Sequence, residues 1–331
     1  MDERTVTEGI PALGRCFVTG GAGFIGSHLV DRLLDEGADV TVYDNLSSGR
    51  HARIEHNLGR KGFRFVQADL LDLDGLTRAL SGHDSVWHLG ANTDIPGGSK
   101  DVELDIRNCT LATHNVLKAM QVRGTQRLVF ASTSAIYGDP SVFPAPEDAG
   151  PLHPISLYGA AKLACEALIS AYCHLFGLQA WMFRFANVVG ARMGHGVIYD
   201  FIQKFKRDPT ELEIWGDGQQ QKPYFLVEDC IEGIFCAYLN TNEWCNVFNL
   251  GSTTLTKVDR IAETISDEMN LSEVRIRYTG GRRGFPGDVP ELLLDVSKMN
   301  RLGWQASCTS DEAVRIATRR LLGKEAGIKA Q

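Results

Sequence analysis

The sequence predicts an α/β fold: a doubly wound parallel sheet of Rossmann type with a smaller C-terminal α/β lobe. Three observations predict it. Short runs of apolar and β-branched residues alternate with longer amphipathic runs, a glycine-rich turn joins the first of each kind, and a carboxylate ends the second short run. With 331 residues, 44% of them hydrophobic, the chain has the apolar material for one large core with an appended lobe.

The expected strands are Cys16 to Thr19, Val40 to Tyr43, Phe63 to Gln67, Ser85 to Leu89, Leu128 to Ala131 and Ala180 to Phe185. They are apolar nearly throughout, as strands buried on both faces should be. Between them, Ile25 to Glu36, Cys109 to Val122 and Leu157 to Phe176 carry apolar residues at helical spacing. After about Asn187 the rhythm shortens, with Gly, Pro and charged residues gathered at 190–196, 216–223 and 280–290. The expected organisation is an N-terminal extension (1–13), a first domain (14–187) and a lobe (188–331), some segments of which return to the first sheet.

The net charge is −7 and no block of Lys and Arg interrupts the mixed signs, so no nucleic-acid partner is expected. The first 13 residues lack an apolar run and no later stretch reaches the length of a membrane span, so the expected compartment is the cytoplasm, with no membrane partner. Eight cysteines are scattered without a C-x-x-C pair. They are expected to be reduced core residues, with no metal site.

The segment from Val18 to Gly26 (V-T-G-G-A-G-F-I-G) follows an apolar strand and opens a helix. Gly20, Gly23 and Gly26 allow a tight turn and close approach of backbone to a pyrophosphate, with Phe24 and Ile25 at the helix start. Asp44, followed by Asn45, ends the next strand where a carboxylate accepts hydrogen bonds from an adenosine ribose. That charge disfavours a 2′-phosphate, so NAD is expected over NADP, although Arg50 lies near in sequence.

Tyr158 and Lys162 form a Y-x-x-x-K motif on one helix face. A phenol with a reference pKa of about 10 needs help to act as a base at neutral pH, and a nearby ammonium gives it. Together with the glycine-rich turn and Ser132-Thr133-Ser134-Ala135-Ile136-Tyr137-Gly138, these motifs resemble the extended short-chain dehydrogenase/reductase family. The resemblance is to its NAD-dependent epimerase/dehydratase group, in particular 4-epimerases of nucleotide sugars, and it covers nearly the whole chain.

The resemblance implies roles for further residues. Asp69 and Leu70 would contact the adenine, Leu89 and Ala91 would flank the pyrophosphate, and Asn108 would support the active site; otherwise Asp69 caps a helix and Asn108 is an ordinary helical residue. Lys162 would hold the nicotinamide ribose and Thr133 the substrate oxygen, with Ser134 beside it. The carboxylates that dehydratases and decarboxylases place after that Thr are replaced by Ser134 and Ala135. Asn187, Lys222 and Arg283 would hold a diphosphate, Arg282 competing with Arg283. Val197 would line the pocket and His195 form a polar wall. Leu292 would leave room beside C2 of the hexose, or else pack in the core. The implied function is an NAD-dependent 4-epimerase of a nucleotide sugar, most readily a UDP-sugar, with a net oxidoreductase as the alternative. A homodimer is implied through the helices starting near Asn108 and Leu157, with Leu111, Leu117, Leu163 and Leu168 serving either as contacts or as core.

Overall fold

The computed structural model describes residues 13–324. Of the expected extension only Leu13 falls among them; residues 1–12 lie outside. The first half of the chain alternates β1 (Arg15–Thr19), α1 (Phe24–Asp35), β2 (Asp39–Asp44), β3 (Phe63–Gln67), α2 (Leu73–Ala79), β4 (Ser85–His88), α3 (Ile95–Gly98), α4 (Ala112–Arg123), β5 (Arg127–Thr133), α5 (Leu157–Phe176) and β6 (Gln179–Phe185). The second half runs β7 (Asn187–Val189), α6 (Val197–Arg207), β8 (Glu211–Ile214), β9 (Gln221–Lys222), β10 (Tyr224–Leu226), α7 (Val227–Asn240), β11 (Cys245–Leu250), β12 (Thr256–Lys257), α8 (Val258–Glu268), β13 (Arg275–Tyr278), α9 (Ser297–Arg301) and α10 (Ser310–Leu321).

Seven strands form one sheet in the order β11-β6-β5-β4-β1-β2-β3, every neighbouring pair parallel. This is the doubly wound α/β architecture. The direction of winding reverses between β1 and β4, and in such sheets the crevice at the carboxyl ends of the two diverging strands receives the ligand. Helix α1 covers one face with Leu29, Val30, Leu33 and Leu34, while Val116, Leu117 and Met120 of α4 and Cys165 and Ile169 of α5 cover the other.

Strand β11 lies in the lobe by sequence but pairs with β6, setting Leu250 opposite Phe185. Its polar residues hid it. Asn246 and Asn249 interrupt the apolar pattern, yet both are buried and bonded: Asn246 donates to the carbonyls of Ala180 and Glu243, Asn249 to those of Ala145 and Asp295. The remaining lobe packs around Phe201, Phe205, Ile214, Ile261 and Val314, with β7 beside β10, β8 beside β13 and β9 beside β12.

Two details differ from expectation. Strand β3 is only half-buried, because it forms the edge of the sheet. The helix expected from Cys109 begins as a π-helical stretch, Ile106–Leu111, before α4 continues it. Of the four leucines at which a partner could dock, Leu117 is fully buried core and Leu163 and Leu168 pack partly against the two cores, whereas Leu111 is exposed. Among the described residues no helix is long and apolar enough to cross a membrane.

Candidate active site

The glycine-rich turn is as tight as its composition requires. Gly20 sits at φ +68°, and a Cβ there would lie 2.6 Å from the amide nitrogen of Gly90; a Cβ on Gly26 would lie 2.1 Å from the Gly20 carbonyl. The turn therefore brings β1, the loop after β4 and the start of α1 into backbone contact. Helix α1 opens at Gly23 with no side-chain cap and no acidic residue in its first turn. The amides of Phe24 and Ile25 thus belong to a helix start at which a bound anion meets favourable dipoles rather than a resident carboxylate. This cradle fits a dinucleotide pyrophosphate.

Asp44 stands beside it, buried, its two oxygens accepting the amides of Ala22 at 3.0 Å and Leu46 at 2.8 Å. Burial raises its carboxyl above the ordinary value, and the two amides and Arg53 work against that shift. Asn45 donates to the Asp69 carboxylate at 3.0 Å, and Tyr43 donates to the Asp69 carbonyl, so Asp44, Asn45 and Asp69 line one end of the crevice. Asp69 does not cap the next helix. That is done by Asp72, which accepts the Gly75 amide. The Leu70 carbonyl accepts from Asn115, Leu89 donates its amide to the Thr19 carbonyl, and Ala91 packs partly buried against the core.

Tyr158 and Lys162 project from the first two turns of α5, which Ser156 caps by accepting the Gly159 amide. The Thr133 side chain lies near enough to the Tyr158 hydroxyl to favour its ionised form, and the Lys162 ammonium donates to the Ala131 carbonyl at 2.8 Å while lying over the Phe130 ring. Both side chains therefore meet the carboxyl end of β5. Thr133 faces the tyrosine; Ser134 is one step further, in a 3-10 turn that Thr133 caps by accepting the Ala135 amide. Burial pushes the Tyr158 phenol above its usual range, Thr133 opposing it. Without a ligand the phenol is protonated at neutral pH. Asn108 lies half-buried in the π-helical stretch, which packs on α5.

Sequence reasoning missed the support beneath these groups. Glu166 of α5 accepts from Ser132 at 2.5 Å and pairs with Arg184 of β6 at 2.8 Å. Arg184 also donates to the Tyr137 hydroxyl, which in turn donates to Asn249 of β11. One buried network thus ties α5 to β5, β6 and β11. The available signal was Glu166, one turn past Lys162 and a charge inside an apolar stripe. Also missed was His88, fully buried between Thr19 and Thr113 and driven down to about 3 by burial and the Lys162 charge. A third is Asp105, buried beneath the loop after β4, where it accepts from Asn92.

At the other end of the crevice the structure gathers three candidates from distant segments. Asn187 bonds the Pro223 carbonyl through both backbone amide and side chain, Lys222 pairs with Asp288, and Arg283 donates to the Asp288 carbonyl and pairs with Asp139 at 2.6 Å. Arg282 is exposed and belongs to no such cluster. Val197 is the first residue of α6, and His195 just before it approaches Thr93 at 3.5 Å across the crevice. Leu292 takes the alternative of core packing: it is 4% exposed and packs in the main core. The segment carrying it is pinned on both sides, Glu291 bridging to Gln221 and Leu294 to Ala145. Among the described residues no group of three or more His, Cys, Asp or Glu side chains could hold a metal ion.

The NAD dependent epimerase/dehydratase family matches residues 16–251. A UDP-glucose 4-epimerase of Mycolicibacterium smegmatis is 30% identical over 314 residues, covering 91% of this chain and 96% of that protein. A UDP-glucuronic acid decarboxylase of Xenopus tropicalis is 31% identical over 258 residues, 76% of this chain and 59% of that one. The crystal structure of a Thermus thermophilus UDP-glucose 4-epimerase in complex with NAD superposes with a TM-score of 0.83 at 31% identity, covering 93% of this chain and 99% of the other.

Proposed function

The chain belongs to the NAD dependent epimerase/dehydratase family, and from that premise we propose that it is a nucleotide-sugar 4-epimerase acting on UDP-hexoses. It is an enzyme of nucleotide-sugar chemistry and its cofactor is NAD. The single observation carrying the finer assignment is the meeting of Tyr158 with Thr133 at the end of β5, with Ser134 and Ala135, rather than two carboxylates, following Thr133. Elimination of water or loss of carbon dioxide calls for further acid–base groups there; reversible oxidation of one hydroxyl does not.

Bound NAD supplies a hydride acceptor and then a hydride donor at C4 of the sugar. Thr133 holds the C4 oxygen, and Tyr158 removes its proton once it is ionised. Lys162, one turn along α5, would hold the nicotinamide ribose, and its positive charge would lower the cost of that ionisation. Asn187, Lys222 and Arg283 retain the diphosphate while the 4-keto sugar turns, and Tyr158 returns the proton when hydride reaches the opposite face. The dinucleotide fits the cradle of Gly20, Gly23 and Gly26, with Asp44 toward the ribose. Residues 14–187 supply the cofactor and catalytic groups and 188–331 most of the sugar-nucleotide contacts. Leu111, exposed as are Ile106 and Val102, would serve a homodimer contact at the start of the helix pair.

The test is to incubate the purified protein, with no added cofactor, with UDP-galactose, UDP-N-acetylglucosamine and UDP-glucuronate and to separate the products. Interconversion of C4 epimers without accumulation of NADH supports the proposal. Stoichiometric NADH would favour the oxidoreductase, and conversion of UDP-glucuronate to a pentose would favour a decarboxylase.

A further inference from the structure

Four charged side chains from three separate segments meet where the diphosphate would lie: Lys222, Asp139, and Arg283 with Asp288 of one loop. Two cations and two carboxylates leave the group neutral, although a ligand with two negative charges calls for an excess of positive charge. One carboxylate must give way, and the geometry says which. Asp288 is 5% exposed and fully engaged, accepting from Lys222 with one oxygen and from the Gly284 amide at 3.1 Å with the other, while its carbonyl anchors Arg283. Asp139 is the reverse: its side chain is 54% exposed and reaches Arg283 from the loop after Gly138. Exposed ion pairs of this kind contribute little and exchange readily.

We infer that Asp139 is an affinity-setting residue, a resident counter-anion that occupies the Arg283 guanidinium until a nucleoside diphosphate displaces it. Asp288 keeps the guanidinium in place throughout, so only the exposed partner changes. The planar fork that Asp139 occupies, through Nη1 and Nη2, is the one that suits a phosphate. While Asp139 occupies it, only the unpaired fraction of molecules is ready for the ligand, and the apparent affinity falls by that fraction. The inference rests on the proposed nucleotide-sugar site. It adds that the site is self-inhibited by its own carboxylate.

The experiment measures UDP binding by calorimetry for wild type, Asp139→Asn, Arg283→Gln and the double variant, all as purified full-length protein. Asp139→Asn is expected to bind UDP about 2- to 5-fold more tightly. In the Arg283→Gln background the same change is expected to have no effect, since the guanidinium it frees is gone. Equal or weaker binding by Asp139→Asn overturns the inference, as does a gain that persists without Arg283, which would reflect general charge rather than exchange. Failure of wild type and variants alike to bind UDP overturns the nucleotide-sugar site itself, and the inference with it.

Discussion

Two arginine–carboxylate pairs flank the site, and their burial separates their roles. Glu166 and Arg184 are each 7% exposed, and every polar neighbour is satisfied by Ser132, Tyr137 or the Glu147 carbonyl. Asp139 and Arg283 have the same chemistry, but their side chains are 54% and 37% exposed and joined across a loop. The first pair cannot lose a partner without stranding a charge in the interior. The second can exchange its partner for water or ligand at small cost. Rigid support thus underlies the proposed reacting groups, and exchangeable charge lies at the proposed diphosphate site.

The largest effect is expected at the rigid end. Tyr158→Phe removes the proton-transferring hydroxyl while the ring keeps its place, so turnover should fall by about 10²–10⁴-fold. Bound NAD and melting temperature should be retained. Near-wild-type turnover by this variant would falsify the role of Tyr158.

Glu166→Gln comes next. It leaves Arg184 charged and half-paired in the interior, and about 3–5 kcal/mol of stability should be lost in urea unfolding. If the loss is under about 1 kcal/mol, the buried network is not the support described.

The local geometry of the proposed cofactor end was legible in the sequence because its residues are close along the chain: Gly20 to Gly26 is one turn, Asp44 ends the adjoining strand, and Tyr158 and Lys162 share one helix. Local spacing fixes such geometry. The substrate end was legible as residue types but not as partners. Nothing in local spacing joins Asp139 to Arg283, or Lys222 to Asp288, because each pair bridges loops that meet only after the lobe has folded. Leu292 shows the same limit, since its place in the core follows from bridges to Gln221 and Ala145 on either side. Strand β11 was hidden for a different reason: buried asparagines satisfied by long-range bonds look like surface residues in a sequence.

The pH dependence should report the rigid end. Burial raises the Tyr158 phenol above its ordinary value, so its ionised fraction is small at neutral pH and grows as pH rises. The rate should climb with pH across the neutral and mildly alkaline range, and Lys162→Met should move that climb to higher pH. A limb that stays in place in Lys162→Met separates the lysine from the ionisation of the phenol.

At Asp44 a smaller change is expected. Asp44→Ser removes the carboxylate that a 2′-phosphate would meet, so the preference for NAD over NADP should relax by about tenfold, or ~1.4 kcal/mol. Unchanged selectivity in calorimetry would move the discrimination to other residues. The smallest effect belongs to the exposed pair: Asp139→Ala should alter unfolding stability by less than about 1 kcal/mol. A loss comparable to that of Glu166→Gln would erase the distinction between the two regions.

The reversible oxidation itself is tested most directly with UDP-galactose carrying deuterium at C4. If Tyr158 handles only the hydroxyl proton and the hydride leaves and returns within one bound complex, the UDP-glucose formed keeps the deuterium at C4. Product that has exchanged C4 deuterium for solvent hydrogen, or label that is recovered in released NADH, would contradict the account.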